Sequence, residues 1–116
     1  MHQFRKLRVW QRAMDFVPEI YRLTKQFPKS EQFGLTSQVR RASISTPLNI
    51  AEGAGAGSNA EFQRFLNYAL RSTYEVTSAL EIARNLNYCS AENSDWLLYE
   101  TDEITAMIFG LSRKLV

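Results

Sequence analysis

Apolar side chains recur every three or four residues along most of this chain, which is the spacing of one face of an α-helix. Between residues 7 and 27 this repeat predicts a first helix. Pro18 predicts a kink inside it, because proline removes one helical hydrogen bond, and Pro28 predicts its end. The predicted buried line consists of Leu7, Trp10, Met14, Val17, Tyr21 and Thr24.

A second helix is predicted from about residue 31 to residue 53, with Pro47 in its interior. Ser43, Ser45 and Thr46 can donate hydrogen bonds to the carbonyls that a proline leaves free. Two short helices in place of one are the alternative. The predicted buried line consists of Leu35, Val39, Ala42, Thr46 and Asn49, beside a second apolar line of Ile44, Leu48 and Ala51.

A third helix is predicted from residue 59 to residue 87, and a fourth from residue 91 to residue 115. Ser58 and Glu61 form the pattern of a capping box, in which each side chain accepts a hydrogen bond from the backbone of the other, and Ser90 is the predicted cap of the fourth helix. The apolar line of the third helix consists of Phe62, Leu66, Ala69, Thr73, Val76, Leu80, Ala83 and Asn87. That of the fourth consists of Leu97, Thr101, Ile104, Ile108, Leu111 and Leu115, widened by Trp96 and Met107.

These four helical stretches predict an all-α fold in a single domain, residues 1–116. No stretch shows the two-residue alternation of a strand, and most connections are short, which favours antiparallel neighbours. The predicted architecture is therefore an antiparallel up-down-up-down four-helix bundle. One core of this size cannot bury all of the aromatic side chains Phe4, Phe16, Tyr68, Tyr99 and Phe109. We therefore expect a cyclic homo-oligomer.

Three glycines, at positions 53, 55 and 57, follow the second helix and raise the question of a phosphate site. A phosphate-binding P-loop starts from a strand and ends in Gly-Lys-Ser/Thr, whereas here a helix comes first and Gly57-Ser58-Asn59 follows. The dinucleotide-binding fingerprint also starts from a strand. The glycines are interpreted as a helix end at Gly53 and a flexible link. Weak anion binding at the free amides of the third helix is the alternative.

The composition is that of an ordinary globular domain, with 116 residues, 45% of them hydrophobic and 22% charged. The single cysteine excludes an intrachain disulfide, and no apolar run is long enough to span a membrane, so the predicted location is the cytoplasm. The formal net charge of +2 is too small to indicate nucleic-acid binding by itself. Basic residues crowd the start and acidic residues the last quarter, so the two groups could meet within one chain or between chains.

No combination of residues predicts a catalytic or metal site, and we expect neither enzymatic activity nor a cofactor. His2 is the only histidine and is interpreted as a tail residue. Cys89 has no neighbouring cysteine or histidine and is interpreted as a packing residue. Asp102 and Glu103 lie on an acidic helix and are interpreted as a solvated or salt-bridged face.

Several short strings resemble the motifs of one family. They are Val9-Trp10-Gln11, Phe27-Pro28, Phe33-Gly34-Leu35-Thr36-Ser37-Gln38, Arg40-Arg41-Ala42 and Pro47-Leu48-Asn49-Ile50-Ala51-Glu52-Gly53. Through them the chain resembles, over nearly its whole length, the four helix bundle protein family, also called the 23S rRNA intervening-sequence protein or S23 family. Pro18 is unexpected in that family. Ala56 stands where a basic residue is common, which weakens a phosphate-binding role for the loop.

The resemblance implies a homopentamer of four-helix bundles. It also implies kinship with the accessory variability determinant of diversity-generating retroelements, a basic pentameric barrel that works with a reverse transcriptase and RNA. For most of the family the molecular task is not established. The expected partners are therefore further copies of the chain and RNA or a nucleic-acid enzyme, and no membrane.

Two groups of residues are candidates for function. Arginine binds phosphates and tyrosine stacks on bases, which selects a first group. The candidate nucleic-acid or partner-binding residues are Arg5, Lys6, Arg8, Arg12, Arg64, Tyr68 and Arg71. The candidate structural polar network consists of Arg40, Arg41, Asn49 and Glu52. The predicted function is a non-enzymatic homo-oligomeric bundle that binds RNA or an RNA-handling enzyme through a basic face. The alternative is a protein-interaction scaffold without nucleic-acid binding.

Overall fold

The first helix buries a different line of side chains from the predicted one. In the computed structural model, which describes residues 3–116, helix α1 spans Arg8–Thr24 and follows a short 3-10 turn at Phe4–Lys6. Its buried residues are Val9, Ala13, Phe16, Ile20, Leu23 and Thr24. The predicted line is only partly confirmed: Thr24 is buried, and Leu7 and Trp10 are half-buried against the core. Val17 and Tyr21 are half-buried, and Met14 is exposed. His2 lies outside the described residues.

Two apolar lines lie side by side on α1, and packing selects between them. The buried line has small side chains at Val9 and Ala13, which let neighbouring helices approach closely. Of the five aromatic residues that were not expected to fit together in one core, Phe16 is buried, whereas Tyr99 and Phe109 are exposed. The helix continues through Pro18 without an interruption.

Helix α2 spans Leu35–Ala54 as one helix with Pro47 inside it, so the alternative of two short helices is wrong. The hydroxyls of Ser43 and Thr46 donate to the Arg40 and Ala42 carbonyls one turn earlier, at 2.8 and 3.2 Å, so they bond back along the helix but not to the Ser43 carbonyl that Pro47 leaves free. These bonds satisfy both hydroxyls inside the core without a partner on another helix.

Helix α2 begins at Leu35, later than the predicted start near residue 31. Glu31 lies before the helix, and its side chain caps the first backbone amide of α2. A separate 3-10 turn covers Lys29–Glu31. The Glu31 carboxylate accepts one hydrogen bond from the Leu35 amide (3.1 Å) and another from the Tyr88 hydroxyl (2.8 Å). Since Tyr88 follows the third helix, this carboxylate ties together two connections that are distant in the sequence.

The hydrogen bonds to Glu31 make the stability of the bundle depend on pH. The Leu35 amide and, less strongly, the Tyr88 hydroxyl lower the pKa of Glu31. A carboxylate with a lowered folded-state pKa stabilises the fold above its ordinary pKa, and that stabilisation is lost as pH falls through the folded-state value. We therefore expect Glu31→Gln to lower the Tm at neutral pH and to have less effect in acid.

Thermal unfolding followed by circular dichroism at several pH values measures this difference. Glu75→Gln on the exposed side of the third helix is the matched control and should leave the Tm unchanged at every pH, since Glu75 makes no hydrogen bond with the described residues. A Tm difference for Glu31→Gln that stays constant from neutral pH into acid would contradict the assignment.

Helix α3 spans Asn59–Asn85 and helix α4 spans Ala91–Lys114. Ser58 caps α3 as predicted, with its hydroxyl accepting from the Glu61 amide at 3.1 Å, and Ser90 caps α4 in the same way. The second half of the capping box is absent, because the Glu61 carboxylate binds an arginine one turn further on.

The predicted buried lines of α3 and α4 are largely confirmed. In α3 the buried members are Phe62, Leu66, Ala69, Thr73, Val76, Leu80 and Ala83, and in α4 they are Leu97, Thr101, Ile104 and Ile108. Asn87 is an exception, since it lies beyond α3 with φ of 61°, a left-handed conformation typical of helix ends. Trp96 is a second exception and is 51% exposed.

The described residues form four α-helices and no strand. α2 packs against α1 and α3, α3 also packs against α4, and α4 packs against α1, so α1 and α3 lie diagonally across the core. The start of α3 lies beside the end of α4, where Gln63 donates to the Ser112 carbonyl (3.0 Å). The end of α3 lies beside the start of α4, where Arg84 binds Asp95 (2.6 Å). In the described part of the chain, no helix is long and apolar enough to cross a membrane.

Candidate nucleic-acid interface

One end of the bundle brings together parts of the chain that are far apart in sequence. Thr24 near the end of α1 accepts a hydrogen bond from Arg40 near the start of α2 (2.8 Å). The start of α1 therefore lies near the end of α2, and the 3-10 turn before α1 contacts α2. Gly53 of α2 lies under Phe62 and Phe65 of α3, and the end of α4 lies beside the start of α3. We call this part of the molecule, residues 3–8, 52–64 and 110–116, the basic end.

Basic side chains outnumber carboxylates at the basic end. Its cations are Arg5, Lys6, Arg8, Arg64, Arg113 and Lys114, and its acidic side chains are Glu52 and Glu61. Arg64 is paired with Glu61, whereas the other five cations have no carboxylate of the described residues within salt-bridge distance. The bundle measures 24 by 19 Å across, so the basic end presents these charges on one side of the molecule, where a polyanion can contact several of them at once.

Aromatic rings accompany the cations at the chain start. The Arg5 guanidinium lies over the Phe4 ring, 5.2 Å from its centroid, and Phe4 meets Trp10 edge to face, also at 5.2 Å. Both rings are half-buried, so each presents part of its surface to solvent. Cations beside partly exposed rings can neutralise phosphates and stack on unpaired bases, including those in the loops of a structured RNA.

Arg12 differs from the other candidate cations, because a carboxylate of α4 already holds it. Its guanidinium donates to both oxygens of Glu100, at 2.8 and 3.2 Å, and lies 4.0 Å from Glu103. The hydrogen bond to Glu100 raises the pKa of Arg12 further. Here the basic start and the acidic last quarter meet within one chain.

Arg64, Tyr68 and Arg71 form a continuous group along α3. Arg64 donates to the Glu61 carboxylate at 2.9 and 3.1 Å and to the Tyr68 hydroxyl at 2.9 Å, and it lies 5.0 Å from the centroid of the Phe65 ring. Arg71 lies 5.9 Å from the Tyr68 ring and has no ion pair with the described residues. The group begins at the basic end and runs along α3, so it can extend a basic surface.

The four residues of the candidate polar network do not form one network. Arg40 joins α2 to α1, since its Nε donates to Thr24 and its guanidinium lies 4.4 Å from the centroid of the Tyr21 ring. Arg41 and Glu52 are exposed and make no hydrogen bond with the described residues.

Asn49 belongs to a separate contact between α2 and α3. Its Nδ2 donates to the carbonyl and the hydroxyl of Ser45, at 2.9 and 3.0 Å, and the Ser45 and Ser72 hydroxyls lie 2.9 Å apart. Ser45 therefore bonds across to α3 rather than back along its own helix as predicted. This contact satisfies the half-buried amide of Asn49, as a polar group in that position requires.

Arg113 and Lys114 are members of the basic end that sequence reasoning missed. Both lie in the last turn of α4, where cations stabilise the helix dipole. The acidic residues of the preceding turns dominated the charge of that quarter of the sequence. The position of Arg113 and Lys114 in the last turn of α4 was the feature of the sequence that could have identified them as candidates. Their position beside Arg64 could not be predicted, because it depends on the packing of the end of α4 against the start of α3.

Cys89, the single cysteine of the chain, is half-buried after the end of α3. Burial raises the pKa of the Cys89 thiol, which disfavours the reactive thiolate. Among residues 3–116, no three histidine, cysteine, aspartate or glutamate side chains come together as a possible metal site.

Comparison with known proteins gives a consistent result. The model of the 23S rRNA-intervening sequence protein family matches residues 5–110. A crystal structure from Bacteroides thetaiotaomicron, described as a protein with unknown function from the S23 ribosomal protein family, is similar with a TM-score of 0.83 and 26% sequence identity. The similarity covers 90% of this chain and 97% of that chain. No curated protein matches this chain.

Proposed function

This chain belongs to the 23S rRNA-intervening sequence protein family, as its motifs indicated, and from that premise we propose that it binds structured RNA through the basic end. It acts without catalysis, as a helical bundle that assembles with further copies of itself. The proposal is supported above all by five cations from the chain start and the end of α4 that lie at one end of the bundle and have no ion pair with the described residues. Because cations without intramolecular partners can neutralise phosphates at little cost, they favour a polyanionic ligand.

Assembly into a ring would multiply this basic surface. We place successive helices in antiparallel up-down-up-down order, supported by the Gln63–Ser112 and Arg84–Asp95 contacts. Leu48 is 63% exposed on α2, and Phe33 just before that helix is 91% exposed. Such apolar surface is commonly covered in a symmetric oligomer, and the resemblance implies five subunits.

A salt titration of RNA binding tests this function. Fluorescence anisotropy of a labelled RNA hairpin would be measured with the assembled protein over increasing potassium chloride, with solution mass from light scattering. The logarithm of the association constant should fall linearly with the logarithm of salt concentration, by about 0.7–0.9 for each phosphate contacted. Failure to bind the hairpin even at low salt would exclude RNA binding.

A protein-interaction scaffold without nucleic-acid binding is the second candidate. The observation that favours it is the use of arginine inside the chain, since Arg12 is held by Glu100 and Arg64 by Glu61. Reversing the charges of Arg64 and Arg71 separates the two functions. Weaker RNA binding by an intact oligomer supports the RNA function, whereas loss of the oligomer supports the scaffold.

A further inference from the structure

An open polar pocket lies between α2 and α3, away from the basic end. Its volume of about 430 Å³ lies within the range of roughly 300–1,000 Å³ that is typical of small-molecule sites. Ser45 on α2 and Ser72 on α3 join the two helices inside it, with their hydroxyls 2.9 Å apart. The other residues that matter for its chemistry are Phe33, Ser37, Gln38, Arg41 and Glu75. We call this site the α2–α3 pocket.

Four polar side chains of the α2–α3 pocket have no partner among the described residues. The side chains of Ser37, Gln38, Arg41 and Glu75 make neither a hydrogen bond nor an ion pair there. The guanidinium and the amide offer donors, the carboxylate and the amide offer acceptors, and the hydroxyl offers both. The lining carries one positive and one negative charge, on Arg41 and Glu75. It therefore favours a neutral ligand that has both donors and acceptors over a free anion or cation.

An aromatic ring stands at the edge of the α2–α3 pocket. Phe33 is 91% exposed, more than any other aromatic side chain of the described residues. Its ring contacts no other aromatic ring of the described residues. An exposed ring beside unpaired polar groups is suited to a planar ligand, which stacks on the ring and directs its polar edge toward those groups.

The α2–α3 pocket continues the surface formed by Arg64, Tyr68 and Arg71. Ser72 follows Arg71 directly, and Glu75 lies one turn further along α3. Arg71 has no ion pair with the described residues, so it can bind a phosphate. A nucleic-acid strand that contacts the basic end and follows this group along α3 therefore reaches the pocket.

We propose that the α2–α3 pocket binds one unpaired nucleobase of an RNA, stacked on the Phe33 ring. Its polar edge faces Gln38, Arg41 and Glu75. A nucleobase is planar and neutral and has donors and acceptors on its edges, which matches the balanced charge of the lining. The inference rests on the proposed function and specifies which part of the RNA this surface reads. It uses Phe33 and leaves Leu48 for contact between copies of the chain.

A fluorescent base analogue tests this contact directly. 2-Aminopurine would be placed at a bulged position of one RNA hairpin and at a paired position of a matched hairpin of the same length. Since the emission of this base depends on its stacking, we expect the protein to change the emission of the bulged hairpin alone. Anisotropy should show that the bulged hairpin binds about five-fold more tightly, as one added stacking contact requires.

A single substitution separates stacking from phosphate binding. Phe33→Leu should weaken binding of the bulged hairpin about five-fold and remove the emission change, while the slope of the salt dependence stays the same. Phe33 is exposed, so the fold does not depend on its ring. Tyr99→Leu on α4 is the matched control, since Tyr99 is also exposed and lies outside the pocket. It should leave both the affinity and the emission change unaltered.

The outcomes distinguish this inference from the proposed function. Absence of binding to both hairpins at low salt would overturn the two together. Salt-dependent binding with the same affinity for both hairpins, or with a Phe33→Leu variant that behaves as the wild type, would overturn the pocket alone. A fall in the solution mass of Phe33→Leu would show that a second copy of the chain covers this ring. Equal affinity for the free 2-aminopurine nucleotide and the bulged hairpin would assign the pocket to free nucleotides in place of RNA.

Discussion

Replacing Lys6 and Arg8 together by glutamine is expected to weaken RNA binding about ten-fold at physiological salt. Both side chains are exposed at the basic end and neither has an ion pair with the described residues. Removing two phosphate contacts should also reduce the slope of the salt dependence by about two. In a ring of identical subunits the loss is repeated in every copy, so the assembled protein should show a larger loss than one chain.

The control for this experiment removes the same charge from the opposite end of the bundle. Lys25 and Lys29 are also exposed and unpaired among the described residues, and they lie where α1 ends and the turn before α2 begins. Anisotropy titrations of the Lys25→Gln, Lys29→Gln double variant should give a slope close to that of the wild type. Equal losses in the two double variants would show that net charge, rather than the basic end, determines RNA binding.

Replacing Gly53 by valine is expected to destabilise the bundle by about 1–3 kcal/mol, because the added side chain has no space between α2 and α3. A Cβ atom at this position would lie 2.8 Å from the Phe65 Cβ and 2.9 Å from the Phe62 Cδ1. Phe62 is buried and cannot move away without disturbing the core. Gly53 was interpreted from the sequence as the end of a helix, and α2 does end one residue later, at Ala54. The structure adds that the glycine allows α2 and α3 to pack closely.

Replacing a second glycine, Gly110, should increase the stability of the protein rather than decrease it. Gly110 lies inside α4, and a Cβ atom there would meet nothing within 4 Å. Gly110→Ala should therefore stabilise the protein by about 0.5–1 kcal/mol through its higher helix propensity. Urea unfolding followed by circular dichroism measures both changes. A Gly53→Val variant as stable as the wild type would show that α2 and α3 can separate at this point.

The buried face of a helix could be predicted from the sequence where the helix carries only one line of apolar side chains. The line from Phe62 to Ala83 is buried as predicted, and Ser58 and Ser90 cap α3 and α4. Such signals are local, because helix periodicity and capping depend on residues within a few turns of one another. They were enough to predict the all-helical fold class, whereas the family was recognised separately, from the resemblance of short sequence motifs.

The buried face of α1 and the start of α2 could not be predicted from the sequence. The first depends on which of two apolar lines packs against other helices, and the second depends on a contact between residues far apart in the chain. On α1, two apolar lines were available, and close packing against α2 and α4 selected the one through Ala13. The start of α2 depends on Glu31, whose carboxylate is shared with Tyr88 from beyond α3.

Some features of the candidate binding residues were predictable from the sequence, and others depended on the fold. The sequence identified Arg5, Lys6, Arg8 and Arg64 as candidates, and the fold places them at one end of the bundle with Arg113 and Lys114. It also removes Arg12 from the free cations by pairing it with Glu100. Local spacing was sufficient to place the four helices, and the resemblance of the motifs was sufficient to identify the family. Which helix faces are buried, and which charges of the described residues stay unpaired, followed only from the folded chain, because both depend on contacts between residues far apart in the sequence.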